Sequence, residues 1–133
     1  RNFASAATLK PAFELFNMLN DSELVKEMDE IRDYLLGVFL NDPRIRLFGV
    51  PRRTDEEKIP LFSFVVEGVH HEDLALILDK MGIAVRSGQM CAEPLMDRFG
   101  VTGMLRISLA PYNTMQEAEY FVKCLNKAID MLI

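Results

Sequence analysis

The sequence has few of the residues that build disulfide-stapled or metal-bound small domains. It contains two cysteines, Cys91 and Cys124, and two histidines, His70 and His71, among 133 residues. Small secreted scaffolds carry more cysteines, and structural zinc sites use spacings such as C-x2-C that do not occur here. We therefore expect a reduced, cytoplasmic protein without a metal site, in which the two histidines open a helix.

Positive charge and long apolar runs are also scarce. Fifteen Lys and Arg residues against 20 Asp and Glu residues give a formal net charge of −5, which argues against nucleic acid and anionic membranes as partners. No apolar run approaches the roughly 20 residues of a membrane-spanning helix, and residues 1–19 lack the apolar core of a signal peptide. Because the sequence begins at Arg1 rather than methionine, we expect it to be a fragment or a processed product.

Apolar residues, by contrast, are plentiful: they make up 50% of the sequence, enough for the core of one domain. Helical periodicity predicts helices over residues 8–19, 22–40, 72–81 and 115–132, with a short one after Pro94. Alternation and β-branched content predict strands over residues 45–50, 59–67, 83–87 and 104–110, with 51–58 as a loop. The order α-α-β-β-α-β-α-β-α predicts an α/β (α+β) two-layer sandwich, a small mixed or antiparallel sheet with helices on one face.

The same alternation assigns the faces of two strands. In residues 104–110, Leu105 lies on the apolar face and Arg106 on the other. In residues 83–87, Val85 and Arg86 are divided in the same way. If helices cover the apolar face, Arg86 and Arg106 lie on the uncovered face, near the loop that carries Cys91.

Two blocks carry a family resemblance. Residues 86–94 read R-S-G-Q-M-C-A-E-P, and residues 105–114 read L-R-I-S-L-A-P-Y-N-T. Together they resemble the C-terminal part of SUF-type cysteine desulfurases, which also act as selenocysteine lyases. These are pyridoxal-phosphate enzymes of the class V aminotransferase family, with the pattern R-[ST]-G-x-x-C-A-x-P followed by R-x-S-x-x-x-Y-N-T. The chain departs from many relatives in carrying Gln89 and Met90 where they carry histidines.

The resemblance implies a role for each matched residue. Cys91 corresponds to the nucleophile that takes sulfur or selenium from L-cysteine or selenocysteine, leaving L-alanine and an enzyme persulfide. Arg106 corresponds to the arginine that binds the substrate carboxylate, and a guanidinium suits this task because it can donate two parallel hydrogen bonds to a carboxylate. Arg86 and Gly88 correspond to supporting positions of the loop. Cys124 borders the apolar stripe of the last helix and is interpreted as packing.

The sequence also allows purely structural roles for Cys91 and Arg106. A cysteine on a loop can be a small buried apolar residue rather than a nucleophile. Arg106 can be a surface salt-bridge residue.

The resemblance also implies what the chain does not contain. The family holds pyridoxal phosphate in a separate large domain, on a lysine that follows a histidine, and no His-Lys pair occurs in this sequence. We therefore expect residues 1–133 to be the C-terminal small domain of a fold-type I enzyme, with no cofactor bound to this part. The full-length enzyme is expected to be a homodimer that passes sulfur to an acceptor protein. The alternatives are a stand-alone persulfide-carrying sulfur-relay module and an inactive regulatory relative.

Overall fold

The computed structural model describes residues 2–20, 23–49 and 58–133. Within these residues, the helices are α1 (Phe3–Ala7), α2 (Leu9–Asn20), α3 (Glu23–Asn41), α4 (His71–Lys80), α5 (Glu93–Phe99) and α6 (Met115–Leu132). The strands are β1 (Ile45–Phe48), β2 (Leu61–Val66), β3 (Arg86–Gly88) and β4 (Met104–Ser108). The order of elements matches the predicted order, with α1 as an addition.

The four strands form one antiparallel sheet in the order β1-β2-β4-β3. The central strands β2 and β4 are paired so that Phe62 lies opposite Ile107 and Phe64 opposite Leu105. A small antiparallel sheet covered by helices confirms the predicted fold class.

The main core lies between one face of the sheet and helices α3, α4 and α6. Phe62, Phe64 and Leu105 are fully buried there. Phe39 of α3 packs on the first two, with ring centroids 5.3 Å and 4.8 Å away. Burying a side chain of this size is worth roughly 1.5–3 kcal/mol, so this layer supplies most of the driving force for folding.

Local signals fix where the covering helices begin. Thr114 and Glu117 form a capping box at the start of α6, each side chain pairing with the other's backbone. His70 is the N-cap of α4, and its ring accepts a hydrogen bond from the backbone N–H of Glu72. The two histidines therefore do open a helix, as the sequence predicts.

One helix departs from the predicted single-sided arrangement. Helix α5 packs on the opposite face of the sheet through a second cluster, defined by Phe48, Met96 and Met104. Phe99 joins this cluster, with its ring centroid 4.8 Å from that of Phe48. We call this side of the sheet the outer face. It is partly covered by α5, whereas α3, α4 and α6 share the inner face.

Element boundaries also differ from the prediction in places. Strand β3 pairs only from Arg86, because the backbone N–H of Ile83 bonds to the carbonyl of Leu78 at the end of α4 instead of joining the ladder. Helix α5 begins at Glu93, one residue before Pro94. Ser22, where the predicted helix 22–40 begins, Val50 and most of the predicted loop 51–58 lie outside the described residues.

The N-terminal helices contribute little to the core. Helix α2 contacts α3, but its apolar side chains are largely exposed, with Phe13 at 64% and Phe16 at 62%. Across the described parts of the chain, every helix is too short or too polar to span a bilayer.

Candidate functional site

A row of four side chains crosses the outer face, one from each strand. The register places Phe48 opposite Ser63, Ser63 opposite Arg106, and Arg106 opposite Arg86. Directly opposed residues in antiparallel strands have Cβ atoms about 4.5–5.5 Å apart. The two arginines predicted to share the uncovered face are therefore nearest neighbours on it.

Within the described residues, neither arginine of the pair forms an ion pair. Arg86 is exposed and Arg106 half-buried, and neither guanidinium makes a hydrogen bond or ion pair with another described residue. Like charges opposed across a ladder repel, and a guanidinium pair suits a planar anion such as a carboxylate. The arrangement favours anion binding over the interpretation of Arg106 as a salt-bridge residue.

Cys91 lies at the tip of a tight turn that follows β3. The backbone N–H of Ala92 donates to the carbonyl of Gln89 over 2.9 Å, and Met90 and Cys91 between them have φ of 56° and 57°. Positive φ at both central residues defines a type I′ turn. For non-glycine residues this left-handed backbone costs about 1–2 kcal/mol each, so the turn is strained.

The residues around Cys91 hold this turn against the sheet. Met90 and Ala92, on either side of it, pack against the second cluster on the outer face. Gly88 ends β3 with φ of 110°, a backbone conformation that residues with a Cβ rarely adopt. Cys91 itself is exposed. The thiol is thus presented to solvent on the same side of the sheet as Arg106.

The two cysteines have opposite environments. Cys124 is buried in α6, within the main core, which confirms its interpretation as packing. The exposure of Cys91 excludes the alternative that it is a small buried apolar residue.

An apolar groove of about 340 Å³ adjoins the row of side chains on the outer face. Phe48, Ser63 and Met104 are among its lining residues. Lys58 lies at its rim, where its Nζ donates to the carbonyl of Leu61 over 2.9 Å. Burial lowers the pKa of Lys58.

The basic side chains beside the groove and in the row are one lysine and two arginines. Lys58, the lysine beside the groove, is engaged by a backbone carbonyl, and the charged groups of the row are two arginines that fit a carboxylate. Among the described side chains, no three or more histidine, cysteine or acidic groups are arranged to hold a metal ion.

Comparison with known proteins identifies the family. Residues 1–121 match the model of the class-V aminotransferases, and the chain belongs to this family. It is 36% identical over 131 residues to a probable cysteine desulfurase of Vibrio cholerae, covering 98% of this chain and 31% of that protein. It is 37% identical over 131 residues to a probable cysteine desulfurase of Xylella fastidiosa, covering 98% and 30%. The resemblance inferred from the two motif blocks is thereby confirmed.

Solved structures agree with the sequence comparison. The crystal structure of the cysteine desulfurase CsdA (S-sulfonic acid) from Escherichia coli matches with a TM-score of 0.71 and 32% identity, over 88% of this chain and 29% of that one. The apo structure of a cysteine desulfurase from Thermococcus onnurineus matches with a TM-score of 0.59 and 34% identity, over 83% and 25%. The chain spans about 30% of the length of the curated relatives that it matches along nearly its whole length.

Sequence reasoning missed one feature of the site and one buried contact outside it, between His71 and Gly103. The type I′ turn was not predicted because Met90 and Cys91 lack the Asn-Gly signal of such turns. The buried ring of His71 against Gly103 was also missed. A buried histidine beside a glycine has no recognisable sequence signal, because the contact joins distant segments.

Proposed function

We propose that this chain is the C-terminal small domain of a cysteine desulfurase that converts L-cysteine, or selenocysteine, to L-alanine. The observation that carries the proposal is the placement of an unpartnered arginine pair, Arg86 and Arg106, on the same face as the exposed Cys91 turn. The family membership supports it.

The substrate is captured through its carboxylate. The guanidinium of Arg106 donates two parallel hydrogen bonds to the carboxylate oxygens, and Arg86 opposite adds a second positive charge. The bound carboxylate also relieves the repulsion between the two cations. Binding is therefore coupled to neutralisation of the pair.

Sulfur transfer uses the thiolate of Cys91. Its Sγ attacks the substrate sulfur, an S–S bond forms, and the bond between the substrate Cβ and sulfur breaks. The carbon takes up a proton to give alanine, and Cys91 is left as a persulfide, so that one thiol and one cysteine become one persulfide and one alanine. Pyridoxal phosphate, bound in the rest of the enzyme, supplies the electron sink for this cleavage.

The exposure of Cys91 also suits transfer of the persulfide sulfur to another protein. An exposed persulfide at a turn tip can be reached by a sulfur-acceptor protein, which we propose as the next partner in a cytoplasmic, homodimeric enzyme. The exposure of Cys91 also supports a second candidate function for the chain. In this second function the chain is a stand-alone module that carries a persulfide made elsewhere.

The test compares variants of an enzyme that joins these residues to a pyridoxal-phosphate-binding domain. Cys91→Ser should abolish alanine formation from L-cysteine, while Cys124→Ser keeps it. Arg106→Ala should lower kcat/KM about 10- to 100-fold, the equivalent of roughly 1.5–3 kcal/mol for a hydrogen bond to a charged group. Arg46→Ala, on the same face but bonded to the carbonyl of Phe99, is the matched control.

Two further measurements test the candidates, and the second of them distinguishes one from the other. Residues 1–133 mixed with pyridoxal phosphate and L-cysteine should form no alanine. Stoichiometric alanine from this chain would contradict the small-domain proposal. A chain that carries a persulfide on Cys91 in cells without any joined cofactor domain would favour the relay module.

A further inference from the structure

The turn that carries Cys91 has a backbone that its own sequence disfavours. Both Met90 and Cys91 are left-handed, with φ near 57°. Type I′ turns are usually made by Asn and Gly, which tolerate this region through a short polar side chain or a missing Cβ. Methionine and cysteine offer neither, so local preference alone would give another turn. Contacts outside the turn must hold it.

The side chain of Met90 is the contact best placed to do so. It is half-buried and packs on the second cluster, whereas Cys91 next to it is exposed. Ala92 also packs there but offers a single methyl group. Gln89 makes a 3.5 Å contact with Glu93 at the surface, which is too long to fix a backbone. Met90 is thus the largest apolar anchor of the turn.

We propose that Met90 is a positioning residue for Cys91, whose packing on Phe48, Met96 and Met104 holds the turn in the left-handed conformation that presents the thiol. The proposal rests on the proposed function, since presentation matters for sulfur transfer only if Cys91 accepts the sulfur. The geometry of the turn can be measured whether or not it does.

The experiment follows the backbone at residue 91 by NMR in the isotope-labelled chain. A positive φ brings the amide and α protons of one residue close together and gives a strong NOE between them. Three variants separate packing from strain: Met90→Leu keeps an apolar anchor, Met90→Ala removes it but keeps the strained Cβ, and Met90→Gly removes both. Urea unfolding of each variant shows whether it folds, and Cys91→Ser tests whether the thiol itself holds the turn.

We expect the variants to affect the NOE at Cys91 in an order that does not follow the size of the side chain at position 90. Met90→Leu should keep the NOE at Cys91. Met90→Ala should reduce it by roughly half or more, because an unanchored left-handed turn loses population to ordinary turns. Met90→Gly should retain more of it than Met90→Ala, although it deletes more of the side chain, and Cys91→Ser should keep it.

Other orders would overturn the proposal. If the NOE at Cys91 is as strong in Met90→Ala as in Met90→Leu, Met90 is not the anchor of the turn. If this NOE is weaker in Met90→Gly than in Met90→Ala, the variants report loss of packing alone, without backbone strain. If the expected order holds but Cys91→Ser leaves desulfuration intact, the positioning role of Met90 stands and the proposed function fails.

Discussion

Arg86 and Arg106 are direct cross-strand partners at the junction of β3 and β4, on the outer face of the sheet. In the described part of the chain neither has an acidic partner. Two guanidinium groups in this relationship repel each other, so the fold keeps an unfavourable pair at this point. Under the proposed function, the substrate carboxylate binds between these two cations, which would link the cost in stability to function.

Removing one of the two charges should therefore stabilise the free chain. We expect Arg86→Gln to raise the free energy of unfolding by about 0.2–1 kcal/mol, the usual size of a cross-strand pair effect. Urea unfolding at low salt measures it. Arg46→Gln is the control: Arg46 packs 4.9 Å from the ring of Phe48 and bonds to the carbonyl of Phe99, so its loss should not stabilise. A drop in stability for Arg86→Gln would count against unrelieved repulsion.

The two cysteines should differ sharply in reactivity. Iodoacetamide should label Cys91 in the native chain and leave Cys124, which is 6% exposed in α6, until the chain unfolds. Peptide mass mapping after timed labelling measures both rates. The control is labelling in urea, where the two rates should converge. Faster native labelling of Cys124 would reverse the assignment.

Much of the fold follows from patterns that encode burial on one face. Alternation in β4 separates Leu105 from Arg106, and helical periodicity in α6 predicts its buried stripe, so the main layer and the arginine pair could be predicted. The outer-face position of α5 could not, because the buried Met96 of a seven-residue helix could pack against either face of the sheet. The turn at Met90 could not either, because tertiary packing overrides its local preference.

Gly103 should not tolerate a side chain. A Cβ at this position would lie against Nε2 of His71 and 2.8 Å from its Cε1, closer than carbon atoms approach in folded proteins. We expect Gly103→Ala to destabilise the chain by about 1–3 kcal/mol, the cost of overpacking. Chemical unfolding measures it. In the double variant His71→Ala/Gly103→Ala the cost of the alanine at 103 should shrink. An equal cost in both backgrounds would show that the ring is not the obstacle.

His71 should make stability depend on pH. Its side chain is buried, and its Nδ1 has no hydrogen-bond partner in the described chain. Burial lowers the pKa of His71, electrostatic repulsion by the stacked His70 lowers it further, and Glu72 opposes the shift. The unfolded chain therefore binds a proton to this histidine at a higher pH than the folded chain does.

The expected result follows from that difference. Above the unfolded pKa of about 6.5 the ring is neutral in both the folded and the unfolded chain, and the free energy of unfolding has its full value. As the pH falls below this value, the unfolded state is protonated first and stability is lost, until the lower folded pKa is passed and the loss stops. Urea midpoints measured from pH 7.5 to 5 should fall in the native sequence and fall less in His71→Gln, which cannot titrate. The same slope in both proteins would assign the pH dependence to other groups.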